Sequence, residues 1–189
     1  MSKVIETLMS EHRVIQGVLG SFEAFVERLD EDGPNARERV AEFADFFREF
    51  ADRCHHGKEE GHLFEALGEH RFPRDAGPLF VMVGEHNMGR SYVAVLSAIG
   101  AGVGTLRELE RHEIRESAGA FIPLLRMHIQ KEDEILFPAA ERTLPPQVLE
   151  KLAGSFEEFE RTVMGEGEHR RLHALGARLM AERPSAAAR

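Results

Sequence analysis

The strongest constraint on the fold is an internal repeat of chemically matching segments. The segment around Glu11-His12 matches that around Glu85-His86 at a shift of 74 residues, from position 12 to position 86. The segment HHGKEEGHLF at 55–64 matches HIQKEDEILF at 128–137 without a gap. Each copy thus carries one histidine and, further along, one His-x-x-x-Glu. A tandem repeat of this kind predicts two similar helix pairs.

Apolar residues recur at helical spacing between clear turn signals, and no segment has the pattern of a strand. The predicted helices cover residues 2–31, 35–69, 76–100 and 105–142, and a tail of one or two shorter helices covers about 147–182. Pro123 is expected to kink the fourth helix or to start a new one within it. The predicted fold class is therefore all-α, an up-down four-helix bundle at 1–143 with a helical extension at 144–189 that packs on the bundle or at an interface.

Composition narrows the classes of partner. With 33 acidic and 24 basic residues the net charge is -9, which disfavours nucleic acid and anionic lipid. The only cysteine, Cys54, excludes an intrachain disulfide and a CxxC motif. Neither a signal peptide nor a membrane anchor is recognisable, so we expect a cytoplasmic protein.

The His-x-x-x-Glu pairs indicate a metal site because residues four apart lie on one face of a helix. His55 and Glu59 continue an apolar row spaced by four residues, whereas His56 and Glu60 continue a charged row. The sequence thus predicts that His55 and Glu59 face inward and that His56 and Glu60 face solvent. The apolar row of the first copy consists of Phe43, Phe47, Ala51 and Leu63.

The second copy follows the same rule, since His128 and Glu132 lie in a row of alanine and leucine. His12 and His86 also lie in apolar helical stripes. A single buried histidine is more often a hydrogen-bonded core residue than a ligand. Four histidines and two glutamates in duplicated register instead favour metal binding, because burying these ionisable groups unpaired is costly.

Four imidazoles and two bridging carboxylates suit two octahedral iron ions that share an oxo or hydroxo bridge, with one position open on each. Nitrogen and oxygen donors without thiolate favour iron or manganese, and zinc stays open on affinity alone. Calcium is disfavoured by so many imidazoles.

At these motifs the chain resembles the hemerythrin-like (HHE cation-binding) family over about residues 8–140, and within it the di-iron domain of repair-of-iron-centres proteins. The resemblance implies a four-helix bundle and a centre of two Fe ions that handles oxygen, nitric oxide or peroxide. The metal ligands it implies are His12, His55, Glu59, His86, His128 and Glu132.

Two positions differ from the oxygen-carrying hemerythrins. Those carriers have a fifth histidine four residues after the one matched by His86, where this chain has Arg90. They also use an aspartate five residues after the histidine of the fourth helix, so Asp133 is an alternative to Glu132. The repeat register favours Glu132, and Arg90 argues against an oxygen carrier.

We therefore expect a non-haem di-iron protein that binds or reacts with nitric oxide, peroxide or oxygen in stress defence or iron-centre repair. Alternatives are a non-catalytic module for oxygen or iron binding, storage or sensing, and a structural bundle without metal. Whether the protein is an enzyme, and whether it forms a homodimer, stays open. In the tail, Glu166, His169 and His173 share a helical face that is interpreted as a polar outer surface rather than a metal contact.

Overall fold

The computed structural model describes residues 1–165 and 167–181, and within them the chain forms six helices and no strand. The predicted all-α class is confirmed. Three helices are single segments: α1 is Lys3–Glu27, α3 is Gly77–Gly100 and α6 is Glu168–Ala181. The other three consist of consecutive segments: α2 of Ala36–Phe46, Phe47–His56, Glu59–Leu63 and Phe64–Glu69, α4 of Glu108–Lys131, Glu132–Leu136 and Phe137–Thr143, and α5 of Pro146–Phe159 and Glu160–Met164.

Helices α1 to α4 form the bundle, in which α2 packs on α3, α3 on α4, and α1 on both α4 and α2. The fourth helix continues through Pro123 without a break, so the expectation of a fresh start there is wrong. In the described part of the chain, no helix combines the length and the apolar character needed to cross a bilayer.

The interior of the bundle consists of two apolar layers. One layer contains Phe22, Phe43 and Phe121, and the other contains Leu8 and Phe137. The histidines and glutamates of the repeat lie between these layers in every bundle helix. Polar groups are thus held in the middle of a hydrophobic core, where they are costly to bury without partners.

The last two helices pack on the outside of α1, and α6 also contacts α2. Leu172 and Leu179 of α6 are fully buried and belong to the apolar layer that contains Phe22. The tail therefore packs mainly on the first helix pair. The end of the predicted tail, residues 182–189, lies outside the described residues.

Helices α2 and α4 contain wide π-helical turns at Phe47–His56, Glu59–Leu63 and Glu132–Leu136. A π-helical turn takes about one more residue than an α-helical turn, and such turns are frequent at functional sites. They change which side chains share a face, so residues five apart now align. These segments carry His55, Glu59 and Glu132, and His128 lies in the α-helical turn just before the third of them.

Candidate metal centre

Six ionisable side chains converge between the two apolar layers, and each is at most 2% exposed. We call them the six-residue cluster, which consists of His12, His55, Glu59, His86, His128 and Glu132. All were expected from the repeat, and the fold brings all six together.

The histidines form two half-sites that follow the repeat. His12 and His55 form the first half-site, with ring centroids 4.6 Å apart. His86 and His128 form the second half-site, with centroids 4.7 Å apart and Nε2 atoms 3.0 Å apart. The nitrogens that face the centre are the Nε2 atoms.

Glu132 lies between the half-sites. Its Oε1 is 3.2 Å from Nε2 of His128, and its Oε2 is 3.3 Å from Nε2 of His12. One carboxylate thus contacts one imidazole of each repeat, as a bridging ligand requires.

Glu59 occupies the equivalent place on the other side. Its Oε1 is 3.6 Å from Nε2 of His55, and its Oε2 is 3.5 Å from Nε2 of His86. The two carboxylates are therefore related by the repeat, and each spans both half-sites.

Several atoms that face the centre are buried without a hydrogen-bond partner. These are both carboxylate oxygens of Glu59 and of Glu132, and Nε2 of His12 and of His55. Buried polar atoms are almost always paired, and leaving them unpaired costs free energy. Four carboxylate oxygens and two imidazole nitrogens that face the centre of the cluster are a donor set that metal cations fit.

The electrostatics of the cluster agree with such a fit. Burial and the neighbouring Glu132 raise the pKa of Glu59 well above its usual value. Burial opposes ionisation of Glu132, but His128 and His12 outweigh it and lower its pKa. Burial likewise opposes the charge on His128, yet Glu132 and Glu85 raise its pKa to about 9. Because the pKa values of Glu59 and His128 are raised, metal binding would release protons from them.

A second set of carboxylates holds the outer nitrogens of the histidines. Nδ1 of His12 lies 2.7 Å from Oδ1 of Asp133, and Nδ1 of His86 lies 2.6 Å from Oε1 of Glu60. A carboxylate on Nδ1 keeps the proton there and leaves the Nε2 lone pair for a metal. Asp133 therefore lies behind His12, while its neighbour Glu132 lies inside the cluster.

The remaining two histidines are held in the same way by the residue that precedes the single histidine of each repeat. Oε2 of Glu11 is 2.8 Å from Nδ1 of His55, and Oε2 of Glu85 is 2.8 Å from Nδ1 of His128. Of these four outer acids, Asp133 was predicted only as an alternative metal ligand, and Glu11, Glu60 and Glu85 were not predicted as functional. The repeat contained the signal, because each acid has a counterpart at the same shift.

His56 corrects the sequence interpretation, since it is buried and only 7% exposed. The π-helical turn explains the difference. At the α-helical spacing of four residues His56 would share a face with Asp52. At the π-helical spacing of five it shares a face with Ala51 and Phe46, which are both buried. Glu60 was also expected in solvent, and instead it is half-buried against His86.

The ring of His56 stacks on that of His86, with centroids 3.8 Å apart and planes 12° from parallel. Its Nδ1 lies 3.2 Å from Oδ1 of Asp52. In-plane lone pairs of two parallel rings do not converge on one ion. His56, Glu59, His86 and His128 each offer one atom within 4.8 Å of the others. His56 therefore lies beside the second half-site as a fifth imidazole, but the parallel stack keeps its lone pair from pointing at an ion held by His86.

Arg90 takes no place in the cluster. Its Nε donates to Oδ1 of Asp52 at 2.9 Å, and its Nη2 donates to Oε1 of Glu60 at 2.7 Å. Arg90 thus joins the acid behind His56 to the acid behind His86. Arg90 therefore helps to orient the imidazoles of His56 and His86 through the acids behind them.

A cavity of about 340 Å³ opens beside the second half-site, between α2, α3 and α4. His56, His86 and His128 line one end of it, and apolar side chains line most of the rest. The second half-site therefore adjoins space for a ligand.

The tail contributes a separate group in which Glu11, Cys54, Glu160 and His169 offer atoms within 4.8 Å of one another. The buried ammonium of Lys58 already bonds to both Glu11 and Glu160, so a cation is present there. Burial raises the pKa of Cys54 to about 12, which keeps it a thiol.

The tail histidines lie one layer outside the cluster. His173 packs edge-on against Phe50 at 5.0 Å, and His169 lies 4.5 Å from His173. Both are half-buried rather than fully solvated, and Glu166 falls outside the described residues. Of the other histidines outside the cluster, His112 is exposed and His62 and His70 are half-buried.

Comparison with known proteins agrees with this geometry. The chain is 26% identical over 161 residues to uncharacterized proteins of Mycobacterium tuberculosis and Mycobacterium bovis, a match that covers 85% of this chain. The chain spans 62% of the length of these relatives. No solved structure matches it significantly. The model of the hemerythrin HHE cation binding domain matches residues 3–140, which include the whole cluster, and the chain therefore belongs to this family of cation-binding helical proteins.

Proposed function

We propose that the protein binds two iron ions between the half-sites, with all six cluster residues as ligands and with Glu59 and Glu132 bridging. The observation that carries this proposal is the set of buried, unpaired carboxylate and imidazole atoms that face one another. Each ion would be held by the two imidazoles of one half-site. The ions would supply one-electron redox chemistry to a small ligand.

The donor set supports iron. Nitrogen and carboxylate oxygen donors without thiolate suit iron and manganese better than soft metals. The one cysteine, Cys54, contributes no atom to the cluster and stays protonated. The outer acids further support a metal role, because carboxylates behind ligand histidines orient the ring and raise its basicity.

The ligand chemistry that we propose is binding or reduction of nitric oxide, peroxide or oxygen, in stress defence or iron-centre repair. The cavity beside the second half-site supports a reaction there, since a ligand can approach that half-site from the cavity. His56 also lines this approach and places a nitrogen where it could hydrogen-bond to a bound ligand.

A second candidate is reversible oxygen binding, storage or sensing without turnover. The observation that favours it is His56, which places a third imidazole beside the second half-site. A rotation of His56 off its stack with His86 would give that half-site the three imidazoles of an oxygen carrier.

The first experiment is a metal analysis of the purified protein, for which we expect about two irons per chain. Absence of metal from a folded protein after expression in iron-rich medium would refute the proposal, and manganese or zinc would refute the choice of iron. The anaerobically reduced protein is then exposed separately to oxygen, nitric oxide and peroxide. Reversible optical spectra would favour the second candidate, whereas turnover would favour the first.

A further inference from the structure

The cavity beside the second half-site is elongated and mostly apolar. Along α3 it extends from Glu85 to Ser97, which corresponds to a length of roughly 18 Å at 1.5 Å per residue. The histidines lie at one end. The apolar part of the lining includes Phe47, Ala51, Gly89, Val93, Phe121 and Leu125.

The cavity arises from small side chains in the second repeat rather than from the fold itself. At the repeat shift, Gly89 corresponds to Ile15 and Val93 corresponds to Leu19. Ile15 and Leu19 are fully buried and fill the apolar layer of the first repeat. A methyl group built on Gly89 would lie 3.5 Å from the ring of Phe121, an ordinary contact. The glycine is thus not required by close packing, and it leaves space open.

The volume exceeds what a diatomic ligand needs. A water molecule takes about 30 Å³ in the liquid, and an engineered cavity of about 150 Å³ holds benzene. The cavity here is about 340 Å³. Cavities of several hundred Å³ with apolar walls and a few convergent polar groups are typical of sites for small organic molecules.

The charges along the cavity select a neutral ligand. Arg48 is paired with Asp45 and Glu49. The other lining arginine, Arg90, is held by the two acids described above. Both lining cations are already neutralised, so neither offers an unpaired charge to a carboxylate or phosphate. The polar contacts left for a ligand are the histidines at one end and the unpaired hydroxyl of Ser97 at the other.

We propose that this cavity binds a neutral organic hydroperoxide, with its apolar body between α2, α3 and α4 and its hydroperoxyl group at His56, His86 and His128. This inference rests on the proposed function and names the substrate class of the same site. Reduction breaks the O–O bond and consumes two electrons and two protons, giving the alcohol and water. When bound, the two metal ions would supply one electron each and solvent would supply the protons, and a one-electron donor protein would restore the ions.

Binding can be measured apart from turnover with cumyl alcohol, the stable product of cumene hydroperoxide. We expect calorimetric titration of the purified protein, whose metal content is measured first, to give a Kd below about 1 mM. Gly89→Ile restores the residue type of the first repeat and should weaken binding at least tenfold. Gly84→Ile is the matched control, because Gly84 lies on the same helix in open space, and it should leave the Kd unchanged.

A second variant covers the case in which Gly89→Ile does not fold. Ala94 lies exposed at the edge of the cavity, so Ala94→Phe should fold and also weaken binding. This inference would be overturned if the unmodified protein did not bind cumyl alcohol, or if the folded Gly89 and Ala94 variants bound it with the same Kd as the unmodified protein. Either result would leave the metal proposal intact. Binding that is lost in both variants, in a protein that never takes up iron, would support the cavity assignment and overturn the proposed function.

Discussion

The imidazole of His56 lies flat against that of His86, with ring centroids 3.8 Å apart. The first half-site has no equivalent, because the repeat counterpart of His56 is Ile129. The phenylalanine contact is common to both, since His12 stacks on Phe137 at 5.3 Å and His86 on the equivalent Phe64 at 6.0 Å. The two half-sites are therefore similar in the histidines and carboxylates of the cluster but different in their surroundings, and only the second is lined by an additional imidazole.

This difference predicts the effect of His56→Leu. Because the parallel stack keeps His56 from sharing an ion with His86, we expect the variant to retain the metal content of the unmodified protein. The rate of reaction with peroxide or nitric oxide should fall about tenfold or more, since a positioned imidazole typically contributes about 10²-fold or more through proton transfer. Metal analysis and stopped-flow spectra measure the two effects.

The control for this variant is His112→Leu, which removes an exposed histidine. It should change neither metal content nor rate. Loss of about one metal per chain from His56→Leu would contradict the prediction and identify His56 as a ligand.

The central carboxylates provide a second prediction. Glu132→Ala should lose most of the metal and lower the midpoint of thermal unfolding, because metal binding is linked to folding and the variant removes the carboxylate beside Nε2 of His12 and of His128. Glu134→Ala is the matched control, since Glu134 is exposed two residues away on the same turn. For both variants, mass spectrometry measures the metal content and scanning calorimetry measures the unfolding midpoint. Equal metal in the two variants would contradict the bridging role.

Much of this centre could be predicted from the sequence because the repeat aligns chemistry as well as hydrophobicity. The repeat register predicted that His55 and Glu59, and likewise His128 and Glu132, face inward. All four lie in the cluster. The long helices followed from the apolar spacing and the turn signals.

The wrong prediction for His56 has a physical cause. Spacing by four residues assumes α-helical turns, and the π-helical turn at Phe47–His56 changes the face on which His56 lies. No propensity scale predicts that turn from a single sequence. The outer acids, such as Glu11 and Glu60, were missed because a charged residue beside a ligand looks like a solvated side chain until a second helix covers it.

The buried lysine of the first repeat provides a third prediction. Lys58 is fully buried between Glu11 and Glu160, whereas its counterpart Lys131 is about one-third exposed and pairs with Glu85. Removing one partner of a buried ion pair costs about 3–5 kcal/mol, while exposed pairs contribute about 0–1 kcal/mol. Lys58→Met should therefore destabilise the protein by several kcal/mol more than Lys131→Met.

Chemical denaturation of both variants, at equal metal content, measures that difference. The two lysines occupy the same position in the repeat, so each variant is the control for the other. Equal losses of unfolding free energy would show that coverage by α5 does not strengthen the first pair.

The last prediction concerns acid stability far from the metal centre. Glu110, at the start of α4, accepts hydrogen bonds from Arg107 and from Arg37. The Arg107 and Arg37 guanidinium groups lower the pKa of Glu110 from 4.5 to about 2. Because the folded pKa is below the unfolded one, this stabilisation is complete above about pH 4.5 and is lost as the pH falls towards 2.

Glu110→Gln should therefore unfold at a lower temperature than the unmodified protein at pH 6, and the difference should shrink below about pH 4.5. Glu108→Gln, an exposed neighbour on the same turn, should show no such pH-dependent difference. Calorimetric scans between about pH 6 and pH 3 test this prediction, and a difference that stays constant over this range would assign the role of Glu110 to hydrogen bonding alone rather than to its charge.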